Sequence, residues 1–165
     1  MKKIIKSFLY ILLIVLLAGC SLFTAKAKDF SGSGMNITLT EDFVKSDNVL
    51  AQLYIVSSSH IFMGNGESKS VFIEYGYDLD LTDYANLVLE TGKKDADVEN
   101  YSDSEIEFKY AYYESTVEGT DYSYMLVCME SQSKFYAMNF GCLSKNFNDK
   151  TKDQYFEWAK TIKVN

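Results

Sequence analysis

The chain contains no proline and no arginine, and it has one histidine and three cysteines among 165 residues. One histidine and a few separated cysteines do not make the four-ligand set of a zinc site. Lysine is the only strong cation, and the formal net charge is −7. This acidic balance argues against a nucleic-acid partner, whose phosphates proteins neutralise with lysine and arginine. It also argues against adhesion of a folded domain to anionic lipid. We therefore expect no nucleic-acid partner, no metal and no other cofactor.

No apolar run is long enough to cross a bilayer. The longest run, Phe8–Ala18, has about half of the roughly 20 residues that a membrane-spanning helix needs. It follows a basic segment that contains Lys2, Lys3 and Lys6, and small residues separate it from Cys20. A basic segment, a short apolar segment and small residues in this order are typical of a cleaved signal peptide.

The end of this segment, Leu17-Ala18-Gly19-Cys20, resembles the processing site of bacterial lipoproteins. The resemblance implies that residues 1–19 are removed and that a diacylglyceryl group, with fatty acids such as palmitate, joins the Cys20 thiol. Two acyl chains are enough for stable anchoring. An ordinary secretory signal with a chance cysteine, or an uncleaved anchor, is the alternative. The expected location is the extracytoplasmic face of the cell membrane.

The segment after Cys20 is small and polar. Residues 20–34 end in Ser31-Gly32-Ser33-Gly34, a composition that predicts a flexible tether. Residues 35–165 then form one domain, which is long enough to bury a core without disulfides or metal. The chain has 13 tyrosines and 11 phenylalanines, and this aromatic content argues against disorder of the domain.

The spacing of apolar residues predicts the elements of the domain. Period-two alternation predicts six strands, and a period of three to four residues predicts two helices. Gly64-Asn65-Gly66 is typical of a turn. Asp80 or Thr82 is expected to cap the N-terminus of the first helix. Gly92 is expected to end that helix in the left-handed conformation. The predicted strands are 35–40, 50–56 with a continuation through 61–63, 70–77, 105–117, 122–130 and 135–142, and the predicted helices are 81–91 and 148–162.

The element order β-β-β-α-β-β-β-α predicts an α+β fold, in which an antiparallel sheet of about six strands is flanked by two helices. Three segments within residues 34–164 carry a resemblance to a known family: MNITLTEDF, LTDYANLVLETG and SKFYAMNFGCLSKNFNDKTKDQYFEWAKTIKV. With the element order, they are similar to the PsbP-like fold of the photosystem extrinsic protein, which several bacterial lipoproteins share. Thr40-Glu41-Asp42-Phe43 replaces the Pro-Glu-Gly-Trp that family members often carry. The resemblance implies a fold and transfers no catalytic residue.

Cys128 and Cys142 lie on two strands that form a predicted hairpin. With Gln132 and Ser133 at the turn, Cys128 pairs with Ala137 and Cys142 pairs with Ser123. This register separates the two thiols by about 17 Å, at roughly 3.3 Å per residue. A disulfide requires Cα atoms within about 7 Å. We expect two buried free thiols, and a disulfide, which an exported compartment permits, is the alternative.

The sequence Ser57-Ser58-Ser59-His60 suggests a serine nucleophile beside a base. Neighbours in an extended strand point to opposite faces, so Ser59 and His60 are poorly placed to pair. No G-x-S-x-G nucleophile elbow is present. We interpret His60 as a turn or bulge residue. A hydrolase that uses Ser59, His60 and a carboxylate is the alternative.

Asp78, Asp80 and Asp83 suggest a calcium loop. An EF-hand counted from Asp78 requires glycine at the sixth place and glutamate at the twelfth, where this chain has Asp83 and Leu89. Acidic residues at the start of a helix also offset its dipole. We interpret the group as helix capping, with a weak divalent site as the alternative.

Aromatic residues of the middle strands are candidates for a partner or ligand surface, because tyrosine supplies contact area at low entropic cost. Burial in the sheet core is the alternative for them, and Trp158 is assigned to the core stripe of the last helix. The leading hypothesis is a non-enzymatic lipoprotein that binds an envelope protein or a small ligand. A hydrolase and a purely structural envelope protein are the alternatives. The candidate residues are Tyr110, Tyr112, Tyr113, Tyr122 and Tyr124.

Overall fold

The computed structural model describes residues 26–47 and 51–165. The predicted signal peptide, Cys20 and the first part of the predicted tether lie outside these residues. Within them, no helix is long and apolar enough to span a bilayer. The described elements are β1 (Ala27–Gly32), β2 (Met35–Thr40), β3 (Val44–Ser46), β4 (Leu53–Val56), β5 (Ile61–Ser68), α1 (Lys69–Glu74), α2 (Leu81–Thr91), β6 (Glu99–Ser102), β7 (Glu107–Val117), β8 (Thr120–Glu130), β9 (Lys134–Leu143), a 3-10 turn (Ser144–Asn146), α3 (Asp149–Ala159) and β10 (Lys163–Val164).

The described strands form two antiparallel sheets. The main sheet has the order β3-β4-β5-β9-β8-β7-β6, and a small sheet has the order β1-β2-β10. Alternate residues of the main sheet face opposite sides, one covered by α3 and the small sheet, and the other covered in part by α2. This is the expected α+β architecture. It has seven strands in the main sheet instead of about six, and three helices instead of two.

The core on the α3 side is built from aromatic rings. Asn148 caps the helix by accepting from the Thr151 backbone N–H. The apolar stripe then places Tyr155 and Trp158 against the sheet, as the sequence predicts. Trp158 meets Phe43 edge to face at 5.2 Å between ring centroids, and Tyr155 stacks on Phe140 at 5.3 Å.

The helix α2 begins at the predicted place. Asp80 accepts from the backbone N–H of Asp83, and the Asp83 side chain accepts from the backbone N–H of Asp80, which completes a capping box. The predicted stop is wrong in detail. Gly92 is right-handed with φ −75°, and the positive φ falls on Lys93 at 52°.

The hairpin of β8 and β9 has the predicted register. Cys128 pairs with Ala137, and Cys142 pairs with Ser123. Both cysteines are buried free thiols. They also lie on opposite faces, since Cys142 joins the α3-side core and Cys128 joins the α2-side core.

The predicted turn at Gly64-Asn65-Gly66 is wrong, because these residues lie inside β5 and pair with β9. The glycines give space to core side chains instead. A Cβ on Gly64 would lie 2.6 Å from Met35 Sδ, and one on Gly66 would lie 2.7 Å from Tyr136 Cε1. Glycine inside a strand marks such a close approach.

The predicted strand over residues 70–77 is also wrong, because α1 occupies its first half. Ser68 pairs with Lys134, the first residue of β9, and the Lys69 N–H donates to the Ser133 carbonyl. The partner strand ends there, so the chain leaves the sheet. A Schellman motif closes the helix, with Gly76 at φ 83° and the Tyr77 N–H donating to the Phe72 carbonyl.

Part of the predicted tether is ordered. Ala27–Gly32 forms β1, which pairs with β2 through a two-residue turn at Ser33-Gly34. Both turn residues have positive φ, the combination that a type I′ hairpin requires. The folded domain therefore begins before Met35, and residues 27–34 are not a flexible linker.

Replacing Trp158 by alanine should reduce the free energy of unfolding by about 3 to 5 kcal/mol, the usual cost of removing a large buried aromatic. Urea unfolding followed by circular dichroism measures this loss. Lys150→Ala, an exposed change on the same helix, is the matched control and should have little effect. A loss below about 1 kcal/mol for Trp158→Ala would contradict the docking of α3.

Candidate functional site

The five predicted tyrosines do not form one surface. Because side chains alternate along β7, Tyr110 and Tyr112 face the α3 side, whereas Tyr113 faces the α2 side. The β7–β8 register puts Tyr122 and Tyr124 on the same side as Tyr113. The structure thus divides the candidate surface into a pair and a trio.

The pair forms the rim of the α3-side core. Tyr110 meets Phe156 at 4.8 Å between ring centroids, and Tyr112 meets Phe147 at 5.8 Å. The Tyr110 hydroxyl donates to Glu99. Burial raises the pKa of both tyrosines to about 12, so their hydroxyls are neutral. For these two residues the geometry matches the sheet-core alternative.

The trio lies on the α2-side face, where Tyr113 packs at the edge of the cluster that α2 covers. Tyr124 stacks on Tyr113 at 5.1 Å, and the Tyr113 hydroxyl donates to Asn139. Tyr124 lies over its strand partner Gly141, where a Cβ would come within 2.5 Å of the ring. Tyr124 is therefore buried, while Tyr113 and Tyr122 are half-buried. Half-buried neighbours that sequence analysis did not select extend this surface: Tyr54, Ile61 and Met63.

His60 is half-buried at the edge of the α3-side core, at the turn between β4 and β5. Its Nδ1 lies 2.9 Å from the Tyr155 hydroxyl, and its ring packs edge to face on Trp158. The Ser57 hydroxyl accepts from the backbone N–H groups of Ser59 and His60. The serines and His60 line a cavity of about 280 Å³. Among the described residues, the hydrogen-bond contact of the His60 ring is from Nδ1 to the Tyr155 hydroxyl, and the Ser57 hydroxyl bonds to backbone groups and not to the ring.

The acidic group at the start of α2 is used for capping. Asp80 and Asp83 bond to each other's backbone N–H groups. Asp78 is exposed in the preceding loop. Within residues 26–47 and 51–165, no three His, Cys, Asp or Glu side chains are placed to hold a metal ion.

Four of the six exposed large apolar residues of the described chain lie in α1 and the loop after it. We name residues 71–77 the α1 segment. Phe72 points inward and packs on Tyr84 and Phe135. The others are exposed, and their exposed fractions are 47% for Val71, 65% for Ile73, 77% for Tyr75 and 56% for Tyr77.

Sequence analysis missed the α1 segment because VFIEYGY has the composition of a strand. Gly76 was the signal that could have corrected this interpretation, since a glycine after a short run is typical of a helix stop. The charges beside the segment are acidic. Glu74 and Asp78 are exposed, whereas Lys69 forms an ion pair with Glu130.

Comparison with known proteins supports the fold. The chain resembles cyanobacterial PsbP (CyanoP) from Synechocystis, with a TM-score of 0.60, 10% identity and coverage of 88% of this chain and 96% of that one. It resembles a protein of Bacteroides thetaiotaomicron, with a TM-score of 0.56, 10% identity and coverage of 86% and 48%. It also resembles LpqN, involved in cell envelope biogenesis of Mycobacterium tuberculosis, with a TM-score of 0.50, 11% identity and coverage of 85% and 91%.

No family model matches the chain, and no curated protein matches it in sequence. Identities near 10% show the fold and not the activity. The described domain has the PsbP-like α+β fold.

The burial of His60 predicts a pH dependence of stability. Burial lowers its pKa below the usual 6.5, and the nearby charge of Asp42 opposes this shift. His60 therefore binds a proton more readily in the unfolded chain than in the folded one. The free energy of unfolding should fall as the pH drops below about 6.5, and it should stop falling once the pH is below the pKa of His60 in the folded state. Urea unfolding at a series of pH values measures the slope.

Two variants identify the origin of that slope. His60→Gln should lack this contribution, and Asp42→Asn should enlarge it because the opposing charge is removed. An unchanged slope between pH 7 and 5 in His60→Gln would show that His60 does not couple stability to pH.

Proposed function

We propose that the chain is a membrane-anchored extracytoplasmic lipoprotein without a catalytic role, and that its PsbP-like domain binds a protein partner through the α1 segment. The observation that carries the proposal is the exposure of four large apolar side chains within seven residues. Val71 and Tyr75, four residues apart, lie on one side of the helical turn. Exposed apolar patches mark interaction sites, whereas single exposed apolar residues need no explanation.

The α1 segment is held in place although its own helix is too short to be stable alone. Six residues without a side-chain cap lie far below the length at which isolated helices persist. The segment is fixed by Phe72, by the Lys69–Glu130 ion pair and by the Schellman motif at Gly76. The fold thus maintains an apolar surface in water, and a conflict between local preference and observed structure is expected at functional sites.

The charges beside the segment favour a particular kind of partner. Glu74 and Asp78 flank the apolar side chains, and the whole chain is acidic. A partner with an apolar pocket bordered by lysine or arginine would match both features. Complementary charge of this kind raises association rates and disfavours wrong partners.

The proposed location rests on the sequence. Lys2, Lys3, Lys6, the apolar run and Cys20 have the order of a lipoprotein signal. The similarity in fold to LpqN, involved in cell envelope biogenesis, is consistent with an envelope role. An accessory subunit of an envelope assembly is the form of this function that we favour.

Cys20→Ser should abolish labelling of the protein by a radioactive fatty acid, because the thiol that accepts the diacylglyceryl group is gone. It should also move the protein out of the membrane fraction. Metabolic labelling and fractionation of the producing cells measure both effects, with Cys128→Ser as the control that keeps the label. A Cys20→Ser protein that still carries the label would refute the anchor.

Photo-crosslinking in intact cells tests the α1 segment. A photoreactive phenylalanine in place of Tyr75 should give one discrete adduct with another protein. The same group in place of Val117, which is 49% exposed at the far β7–β8 turn, should not. Glu74→Lys should weaken the Tyr75 adduct because it reverses a charge among the apolar side chains of the segment. Equal adducts from both positions, or none from position 75, would contradict this docking surface.

A further inference from the structure

A groove lies on the α2 side of the domain, between α2, α1 and the strands β5 and β9. Its volume is about 350 Å³, within the range of pockets that hold small ligands. Apolar side chains, Phe72 and Val88, form its walls. Polar side chains, Asn65, Glu67 and Asn139, form its floor. The groove therefore combines a few polar groups with an apolar lining.

Tyr84 supplies an unpaired hydroxyl to this groove. The residue is 1% exposed, and its hydroxyl makes no hydrogen bond of normal geometry within the described residues. An unpaired buried hydroxyl costs about 1 to 3 kcal/mol. The ring is fixed by stacking on Phe135 at 4.7 Å and by an edge contact with Phe72. It therefore does not turn its hydroxyl out to solvent without losing these contacts.

Among the described residues that line the groove, Glu67 is the one with a charged side chain. The described residues form two ion pairs, Lys69–Glu130 and Lys160–Glu157, and Glu67 is in neither of them. Its carboxylate is close enough to act on Tyr84. Burial first, and then the negative charge of Glu67, raise the pKa of that hydroxyl, and a weak hydrogen-bond interaction with the same carboxylate adds to the shift. The hydroxyl is therefore neutral.

We propose that the groove binds an organic cation, with its ammonium group between the Glu67 carboxylate and the Tyr84 hydroxyl and its apolar part against Phe72 and Val88. An ammonium has three donors and no acceptor. It therefore matches a carboxylate and a neutral hydroxyl oxygen, and it provides the missing partner of Tyr84. A free amine and a lysine side chain present the same group. This site does not depend on the α1 segment as a docking surface.

Calorimetric titration of the full chain in detergent tests the proposal with three probes. They are 4-phenylbutylamine, the neutral analogue 4-phenylbutanol, and Nα-acetyl-lysine amide. At least one amine should bind saturably, and the alcohol should bind more weakly. Tighter binding of phenylbutylamine identifies a free amine as the ligand type, and tighter binding of the lysine amide identifies a lysine side chain. Absence of saturable binding by both amines, or equal binding of the alcohol, overturns the proposal.

Variants locate the binding. Glu67→Gln should weaken amine binding roughly tenfold or more, the effect of losing a charged hydrogen-bond partner. Glu90→Gln changes an exposed carboxylate of α2 outside the groove, and it should bind as the wild type does. Unchanged affinity in Glu67→Gln overturns the assignment.

Tyr84→Phe gives a second readout. It should weaken amine binding severalfold and leave the melting temperature the same or higher, because the removed hydroxyl had no partner. A lower melting temperature would show that the hydroxyl is already paired, and would overturn its assignment as a ligand group. Ile73→Ser, which alters the α1 segment, should retain amine binding, so the failure of one proposal is distinguishable from the failure of the other.

Discussion

The pairing of β5 with β9 determines how the rest of the chain is arranged. It places β4 and β3 on one side of the β8–β9 hairpin and β7 and β6 on the other. The pairing depends on Gly64 and Gly66, which leave space for Met35 and Tyr136 on the α3 side. It also ends at a fixed point, because β9 begins at Lys134 and offers no partner beyond Ser68. The chain must leave the sheet there, and α1 is the result.

The two faces of the main sheet are covered to different extents. On one face, α3 and the small sheet enclose an aromatic core that includes Phe43 and Trp158. On the other, α2 covers the part around Cys128 and Phe135, and tyrosines lie half-buried beyond it. The features with functional potential, the tyrosine trio, the groove at Tyr84 and the α1 segment, are on or beside this less covered face. The aromatic core gives the rigidity that holds them in place.

The sequence predicts best what depends on neighbouring residues. The β8–β9 register follows from a short turn, and α2 and α3 follow from their caps and apolar stripes. The glycines of β5 and the helix α1 were misinterpreted because their conformation depends on a strand about 70 residues away. The pairing of Ser68 with Lys134 cannot be detected from the local spacing of apolar residues. The tyrosine trio was among the predicted residues, but the division into two faces and the groove at Tyr84 required the register of the whole sheet.

The measurement that tests this account most directly is the backbone conformation of residues 69–77 in the full chain in detergent, from ¹³C chemical shifts and amide hydrogen exchange. The account requires helical shifts over Lys69–Glu74. It also requires protection of the Tyr77 amide, which donates to the Phe72 carbonyl, and free access of labelling reagents to Ile73 and Tyr75. Extended shifts through residue 77, with alternating protection as in a strand, would show that β5 continues past Ser68. That result would remove the apolar surface on which the proposed function rests.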